Sequence, residues 1–197
     1  MRNIETTSTE FVFFAKRAQR ILAEEAIAEL PSEKHEIQTP CGPYSGIKHI
    51  NPEHKICAVS IIRSGDALVE SFRECLPGVT VGKILIQRNE KSNEKEAHYF
   101  YSKVPPNINA MDVFLCDPML ATGGSAKAAI EVLVKEYHVA TNRIIFANMI
   151  SCPEGLKALE ESYPEVKIVT ACVDDCLNYQ KYIVPGLGDY GDRYFNT

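Results

Sequence analysis

Short apolar runs alternate with helix-length segments along most of the chain, and this order restricts the available folds. The strand-length runs lie at 56–62, 81–87, 112–116, 143–150 and 166–173. Helices are predicted at about 67–76, 125–137 and 154–163. Continuous apolar strands separated by helices are typical of parallel sheets covered on both faces. The chain is therefore predicted to have an α/β fold with a doubly wound, mostly parallel sheet.

Three segments lie outside this alternation. Thr7 and Glu10 form a capping box at the start of a first helix, which Pro31 should end. The apolar face of that helix is predicted to comprise Phe11, Phe14, Ala18, Ile21, Leu22 and Leu30. Residues of about 84–103 read as a β-hairpin flap, because the polar stretch between its arms is too short for a helical crossover. Residues 174–197 are predicted to form an irregular hood over one end of the sheet.

Composition and charge restrict the class of protein. A chain of 197 residues without a linker is expected to be one domain, 1–197. Its net charge of −5 has the wrong sign for binding nucleic acid through phosphates, and no apolar stretch is long enough to span a membrane. The seven cysteines include no C-x-x-C pair. We expect a cytoplasmic protein with free thiols and no zinc, in which Cys57 and Cys116 are buried.

A second feature is the loop that follows the strand at 112–116. Gly123 and Gly124 allow backbone N–H groups to converge, and Thr122 and Ser125 add hydroxyls at a helix N-terminus. This pattern indicates a phosphate site. Asp117, at the carboxyl end of the strand, could accept hydrogen bonds from sugar hydroxyls or act through a metal. The alternative is an ordinary strand-to-helix turn with Ser125 as its N-cap.

Near the C-terminus, 186–191 matches the dinucleotide fingerprint G-x-G-x-x-G, but the match is spurious. Only six residues follow it, whereas a dinucleotide site needs a βαβ unit of about thirty residues. We interpret the glycines as a tight loop whose main chain approaches a flat ring and reads its carbonyl and N–H edge. A glycine-rich C-terminal turn is the alternative.

These two motifs carry a resemblance to a known family. Asp117-Pro118-Met119-Leu120-Ala121-Thr122-Gly123-Gly124-Ser125 resembles the phosphoribosyl-pyrophosphate loop of type I phosphoribosyltransferases, in the form found in the uracil phosphoribosyltransferase family. The segment 182–193 resembles that family's uracil-binding segment, and the similarity extends from about Thr7 over nearly the whole chain. The resemblance implies conversion of uracil and 5-phospho-α-D-ribose 1-diphosphate (PRPP) to UMP and pyrophosphate in pyrimidine salvage.

The resemblance also implies roles for individual residues. Residues 117–125 and Asp189 would bind PRPP. Ile183 and the run Gly188, Asp189 and Tyr190 would bind uracil. Arg63 and Arg88 would bind pyrophosphate, for which a planar guanidinium is well suited. The residues implied in catalysis are Asp117, Asp189, Arg63 and Arg88.

The same resemblance implies a cofactor and an assembly. Mg²⁺ would be carried by PRPP without a direct protein ligand, and the protein would form a homodimer or homotetramer. Activation by a nucleotide such as GTP, as in some relatives, is left open. Tyr190 stands where free-standing bacterial members commonly have Ala, so we expect a base pocket of different shape. The region 11–20 resembles the phosphoribosyltransferase-like half of bifunctional uridine kinase proteins.

Two other functions are considered. A protein of this fold could sense pyrimidine or PRPP without turnover, but Gly188 and Asp189 are retained, which favours an enzyme. A purine or orotate transferase is disfavoured, because those relatives usually carry two adjacent acids where this chain has Asp117 and Pro118.

Overall fold

The fold is described from a computed structural model, for residues 1–88 and 97–197. The helices are α1 (Ser8–Ala28), α2 (Gly65–Cys75), α3 (Gly124–Lys135), α4 (Pro153–Ser162) and α5 (Tyr190–Phe195). The strands are β1 (Ser32–Thr39), β2 (Gly42–His49), β3 (Ile56–Ile62), β4 (Thr80–Arg88), β5 (Ala97–Lys103), β6 (Asp112–Cys116), β7 (Met119–Leu120), β8 (Ile144–Ser151), β9 (Lys167–Val173), β10 (Cys176–Leu177) and β11 (Ile183–Val184).

A seven-stranded sheet lies at the centre of the molecule. Its strand order is β5-β4-β3-β6-β8-β7, and β9 also pairs with β8. The pairs of β3 with β4 and β6, and of β8 with β6, β7 and β9, are parallel. β4 and β5 are antiparallel. The predicted mostly parallel sheet is confirmed, and so is the hairpin; its tip, 89–96, lies outside the described residues.

Each face of the sheet is covered by an apolar cluster. On β3, Ala58 contributes to the cluster that includes residues of α1 and α2, whereas Cys57 and Val59 contribute to the one that includes residues of α3. This alternation follows from the two-residue period of a strand. As expected, Cys57 and Cys116 are buried, and burial raises the pKa of the Cys57 thiol to about 11. All seven cysteines are free.

Helix α1 begins as predicted but buries a different set of side chains. Glu10 N–H donates to Thr7 Oγ1 at 3.3 Å, and Thr7 N–H donates to Glu10 Oε2 at 3.1 Å, which confirms the capping box. The predicted apolar face is wrong for Phe14 and Ile21, which are 46% and 66% exposed. They lie off the buried stripe, whose spacing of three or four residues is set by the helical period. The buried residues of α1 are Phe11, Ala15, Gln19, Leu22, Ala23, Ala26 and Ile27.

An antiparallel hairpin of β1 and β2 precedes the sheet and was not predicted. Residues of β1 are almost all exposed, so its sequence contains no apolar run to mark a strand. Ile37 and Ile47, which lie on β1 and β2, are also exposed.

The hood is more regular than predicted. β10 and β11 form a short antiparallel ladder, and α5 ends the chain. In the part of the chain that the structure describes, no helix is both long and apolar enough to cross a membrane.

Candidate active site

A cavity of about 740 Å³ lies between the carboxyl end of the sheet and the hood. The ends of β3 and β4 contribute 61–64 and 86–87, and the hood contributes 181–183 and 188–191. The loop after β6 completes the wall. Ligands of open α/β sheets bind outside the carboxyl ends of the strands, where this cavity is found.

The phosphate loop, 117–125, runs from the end of β6 into the start of α3. Gly123 is the N-cap of α3 and has a left-handed backbone with φ of 80°. The alternative in which Ser125 caps the helix is therefore not observed. The first N–H groups of a helix have no carbonyl acceptor within it, and they favour an anion. A Cβ added to Gly124 would meet only Thr122 Oγ1, at 3.6 Å, so the space beside the helix start is open.

The phosphate loop divides into residues that reach the cavity and residues that build the loop. Met119, Ala121 and Ser125 line the cavity together with Asp117. The other predicted donor-binding residues of the loop, Pro118, Leu120, Thr122, Gly123 and Gly124, do not line it.

Residues of the second group make structural contacts. Leu120 is 1% exposed and belongs to the apolar cluster beside α3. The Pro118 carbonyl accepts hydrogen bonds from the N–H groups of Met149 and Ile150. Thr122 Oγ1 accepts a hydrogen bond from Gly124 N–H at 3.4 Å. The roles of Pro118 and Leu120 in binding the donor stay predictions.

Helix α4 supports the phosphate loop through Gly155. A Cβ at this position would lie 2.4 Å from the Ala121 carbonyl oxygen and 2.6 Å from that of Leu120, so glycine permits the close approach. Cys152 Sγ donates a hydrogen bond to the Ala121 carbonyl at 3.2 Å, and burial raises the pKa of this thiol. Neither residue was identified from the sequence, because their contacts with the loop form only when α4 packs against it.

Asp117 is held at the end of β6. It is 7% exposed, its N–H donates to the Ala147 carbonyl at 3.3 Å, and the Ser64 hydroxyl donates to Oδ1 at 3.3 Å. Ser64 follows β3, which pairs with β6. The contact therefore joins the loops of two neighbouring parallel strands.

Arg63 follows β3, and its guanidinium is paired with the C-terminal residues. Nη2 donates to Asp192 Oδ1 at 2.5 Å, and Nη1 donates to Thr197 Oγ1 at 2.6 Å. The hydrogen bond from Arg63 lowers the pKa of Asp192. The side chain of Arg88 lies outside the described residues, so its role stays a prediction.

The predicted base-binding residues form one side of the cavity. Ile183, Gly188, Asp189 and Tyr190 all line it. Gly186 and Gly188 have φ of 60° and 82°, and a Cβ at Gly186 would lie 2.2 Å from the Ile183 carbonyl oxygen. Glycine is thus required for the turn that brings this main chain to the cavity.

Two of these residues also make structural contacts. Asp189 is the N-cap of α5, and its Oδ1 accepts a hydrogen bond from Asp192 N–H at 2.8 Å. Tyr190 is 1% exposed and packs against α1, where its ring meets Phe11 edge-on with centroids 5.2 Å apart. Tyr190 therefore borders the cavity while its ring occupies the core.

The N-terminal residues fasten the hood. The Arg2 guanidinium binds both Asp174 carboxylate oxygens, at 2.5 and 2.7 Å, and Asp174 Oδ2 also accepts from Gly186 N–H at 2.8 Å. Hydrogen bonding by Arg2 lowers the pKa of Asp174. Arg193 donates to the carbonyls of Asn3 and Leu187. None of these ties was predicted from the sequence.

The fold and the cavity define the class of protein. A mostly parallel sheet carries a glycine-containing loop at a helix start, an acid at the adjoining strand end, and a hood that closes the cavity. These features together define a type I phosphoribosyltransferase. Lys181, Ser64 and Gln87 also line the cavity, although no role was predicted for their side chains. Tyr182, the first residue of the segment 182–193, lines it as well.

Comparisons with known proteins identify the family. The model of the uracil phosphoribosyltransferase family matches residues 1–197. The chain is 44% identical over 196 residues to uracil phosphoribosyltransferase of Saccharomyces cerevisiae, covering 99% of this chain and 88% of that protein. It is 42% identical over 198 residues to that of Dictyostelium discoideum, covering 100% and 89%. The chain therefore belongs to the uracil phosphoribosyltransferase family.

A solved structure and a longer relative are also similar to this chain. A protein of Aquifex aeolicus has a TM-score of 0.82 with this chain at 34% identity, covering 98% of this chain and 89% of that one. A uridine/cytidine kinase of Arabidopsis thaliana is 40% identical over 198 residues, and the match covers 39% of that protein. The chain is thus similar to about two fifths of a protein named as a uridine/cytidine kinase.

Proposed function

We propose that the protein transfers the phosphoribosyl group of PRPP to uracil, which gives UMP and pyrophosphate. One observation carries this proposal: the phosphate loop and the base-binding residues line the same cavity of about 740 Å³. That volume lies within the usual range for small-molecule sites. Displacement at the anomeric carbon requires both reactants to be held in line, so a shared cavity is the essential arrangement.

The phosphate loop would hold the donor. The 5-phosphate lies at the start of α3, where backbone N–H groups and the partial positive charge of the helix stabilise an anion. Ser125 lines the cavity at this point and contributes a hydroxyl. Asp117 accepts hydrogen bonds from the ribose hydroxyls, and its negative charge favours the oxocarbenium-like transition state.

The base would be read by the main chain of the hood. Uracil presents alternating carbonyl and N–H groups, which backbone donors and acceptors can match without a charged side chain. Gly188 and its neighbours expose such groups to the cavity because no Cβ stands between the backbone and the ligand at that position. Asp189 lies where base and ribose meet.

Arg63 would bind the departing pyrophosphate. Its pair with Asp192 is about half exposed on both sides, and exposed ion pairs contribute little free energy. Pyrophosphate can therefore replace Asp192 as the partner of this guanidinium. Arg88 is assigned the same role from its position at the end of β4.

Mg²⁺ would accompany PRPP. Mg²⁺ prefers oxygen ligands and is usually held by one or two carboxylates plus substrate phosphates. The cavity offers the separate carboxylates of Asp117 and Asp189, and no described group of three or more His, Cys, Asp or Glu residues could enclose a metal. An ion that arrives with the phosphates of PRPP fits beside these two carboxylates without a direct protein ligand, and it would neutralise charge on the leaving group.

We also propose that the protein is cytosolic and forms a homodimer or homotetramer. Activation by a nucleotide such as GTP stays a prediction. Apolar side chains exposed on α1 and on the β1–β2 hairpin support self-association. Free thiols suit a reducing compartment. Light scattering after size-exclusion chromatography measures the assembly directly.

The activity is tested by incubating the protein with uracil, PRPP and Mg²⁺ and detecting UMP and pyrophosphate. We expect both products in equal amounts, and we expect orotate, cytosine and adenine to compete poorly with uracil. Binding of uracil and PRPP without product would instead favour a sensor. If the protein preferred a purine or orotate, that base and not uracil would be its substrate.

A further inference from the structure

A chain of buried polar side chains connects α1 and α2 to the cavity wall. Gln19 of α1 is fully buried, and Ser71 of α2 is 4% exposed. The Gln19 amide donates from Nε2 to the Tyr190 hydroxyl at 2.5 Å, and the Ser71 hydroxyl donates to Gln19 Oε1 at 3.4 Å. Buried polar groups cost free energy unless they are paired. If position 19 served only to pack α1 against the core, an apolar side chain would be sufficient there.

The far end of this chain lies beside the base-binding main chain. Tyr190 is the first residue of α5 and directly follows Asp189 and Gly188, which line the cavity. Gly186 and Gly188 both have left-handed backbones, and glycine restricts the chain less than any other residue. The segment therefore depends on contacts outside itself for a fixed position.

The ring of Tyr190 supplies some of those contacts, in addition to the hydrogen bonds from Gly186 N–H to Asp174 and from Arg193 to the Leu187 carbonyl. Phe11 meets it edge-on at 5.2 Å and Tyr194 stacks on it at 5.9 Å, so the plane of the ring is set by packing. The hydrogen bond from Gln19 fixes the depth to which the ring enters the core. That depth also fixes the main chain of Gly188 and Asp189, because they are covalently joined to Tyr190.

We infer that Gln19 and Ser71 are positioning residues for the base, acting through the buried Tyr190 hydroxyl on the main chain at 188–189. This inference rests on the proposed uracil site. Most of the proposed donor site is built on β6 and α3, which the chain of polar groups does not touch, and Asp189 is the residue that both proposed sites share. Loss of the Gln19 amide should thus weaken the use of uracil much more than the use of PRPP.

Gln19→Met tests the inference because it keeps the length of the side chain and leaves the Tyr190 hydroxyl unpaired. We expect KM for uracil to rise roughly tenfold, as an unsatisfied buried hydroxyl displaces the ring, while KM for PRPP stays within about twofold of wild type. In Gln19→Met with Tyr190→Phe and Ser71→Ala, all three members of the hydrogen-bonded chain are removed. We expect KM for uracil to return most of the way to the wild-type value, since removing all the paired groups together is nearly neutral.

Phe72→Leu is the matched control for stability. Phe72 is fully buried in the same apolar cluster and stacks on Phe114, so the variant should lower the melting temperature without changing KM for uracil. If Gln19→Met does not fold, Tyr190→Phe carries the test with an expected rise of several-fold in the same KM.

A fall in melting temperature with an unchanged uracil KM would overturn the inference, as would equal increases in both KM values. Wild-type protein that forms no UMP would refute the proposed function instead. The two failures are therefore distinguishable in one set of assays.

Discussion

At the scale of single residues, Asp117 combines burial with a place on the cavity wall. Its carboxylate accepts a hydrogen bond from Ser64, an interaction that an amide oxygen can also accept. Replacing the charge therefore need not disturb the loop. The same replacement removes the negative charge that the proposed function places beside the ribose.

Asp117→Asn is expected to lower kcat/KM for PRPP by roughly 10- to 100-fold, because hydrogen bonds to charged groups contribute about 1.5–3 kcal/mol. The measurement is steady-state kinetics with PRPP varied at saturating uracil. Asp112→Asn is the control, since Asp112 lies at the other end of β6 and binds Asn51. Equal kcat/KM values in wild type and Asp117→Asn would contradict the proposed role of Asp117 in binding the ribose.

Residue identity alone predicted some site residues and missed others. Asp117, Ser125 and Gly188 were predicted from local motifs, and all three line the cavity. Ser64 and Gln19 were not, because serine after a strand and glutamine within a helix are common in any fold. Their contacts join residues 53 and 171 positions apart, so no local pattern could reveal them.

At the scale of elements, the proposed phosphate site at the start of α3 can be tested by adding a side chain there. A Cβ at Gly124 has room, so Gly124→Val should fold while its branches enter the space proposed for the 5-phosphate. We expect PRPP affinity, measured by calorimetry, to fall by at least about tenfold, the cost of about 1.4 kcal/mol.

Ala128→Val is the control for this variant, because it places the same side chain about one turn further along α3, away from the start of the helix. That variant should bind PRPP normally. Unchanged PRPP affinity in Gly124→Val would place the phosphate elsewhere.

Most strands and helices of the sheet were predictable because they are marked by an apolar run or a helical period. The two-residue strand β7 was not predicted, because it lies within the loop that follows β6. Helix α3 was predicted at 125–137 and is found at Gly124–Lys135. The β1–β2 hairpin was missed because its exposed strands need no apolar run. Phe14 and Ile21 were misassigned because their spacing suits a helix, but α1 docks along another stripe.

At the scale of the whole molecule, contacts between the two ends of the chain hold the hood over the cavity. Arg2 and Asp174 are 172 positions apart. Because Arg2 lowers the pKa of Asp174, this carboxylate stabilises the fold when it is ionised. Its contribution is complete above the unfolded pKa of about 3.9 and is lost as the pH falls through the lower folded value.

Asp174→Asn should therefore reduce the free energy of unfolding by about 2 kcal/mol at pH 7, and by progressively less as the pH falls below about 4. Urea unfolding of both proteins between pH 7 and pH 3 measures the difference. Asp175→Asn, at the exposed neighbouring position, should have little effect at any pH. A difference for Asp174→Asn that does not change with pH would contradict the role of its charge.

The central claim is that one cavity holds the sugar phosphate and the pyrimidine together, and a crystal structure with bound UMP tests it most directly. The phosphate is expected at the first turn of α3 near Ser125, with the ribose hydroxyls at Asp117. The uracil edge is expected against the main chain at 188–190. UMP bound outside this cavity, or with its base turned away from the hood, would contradict the claim.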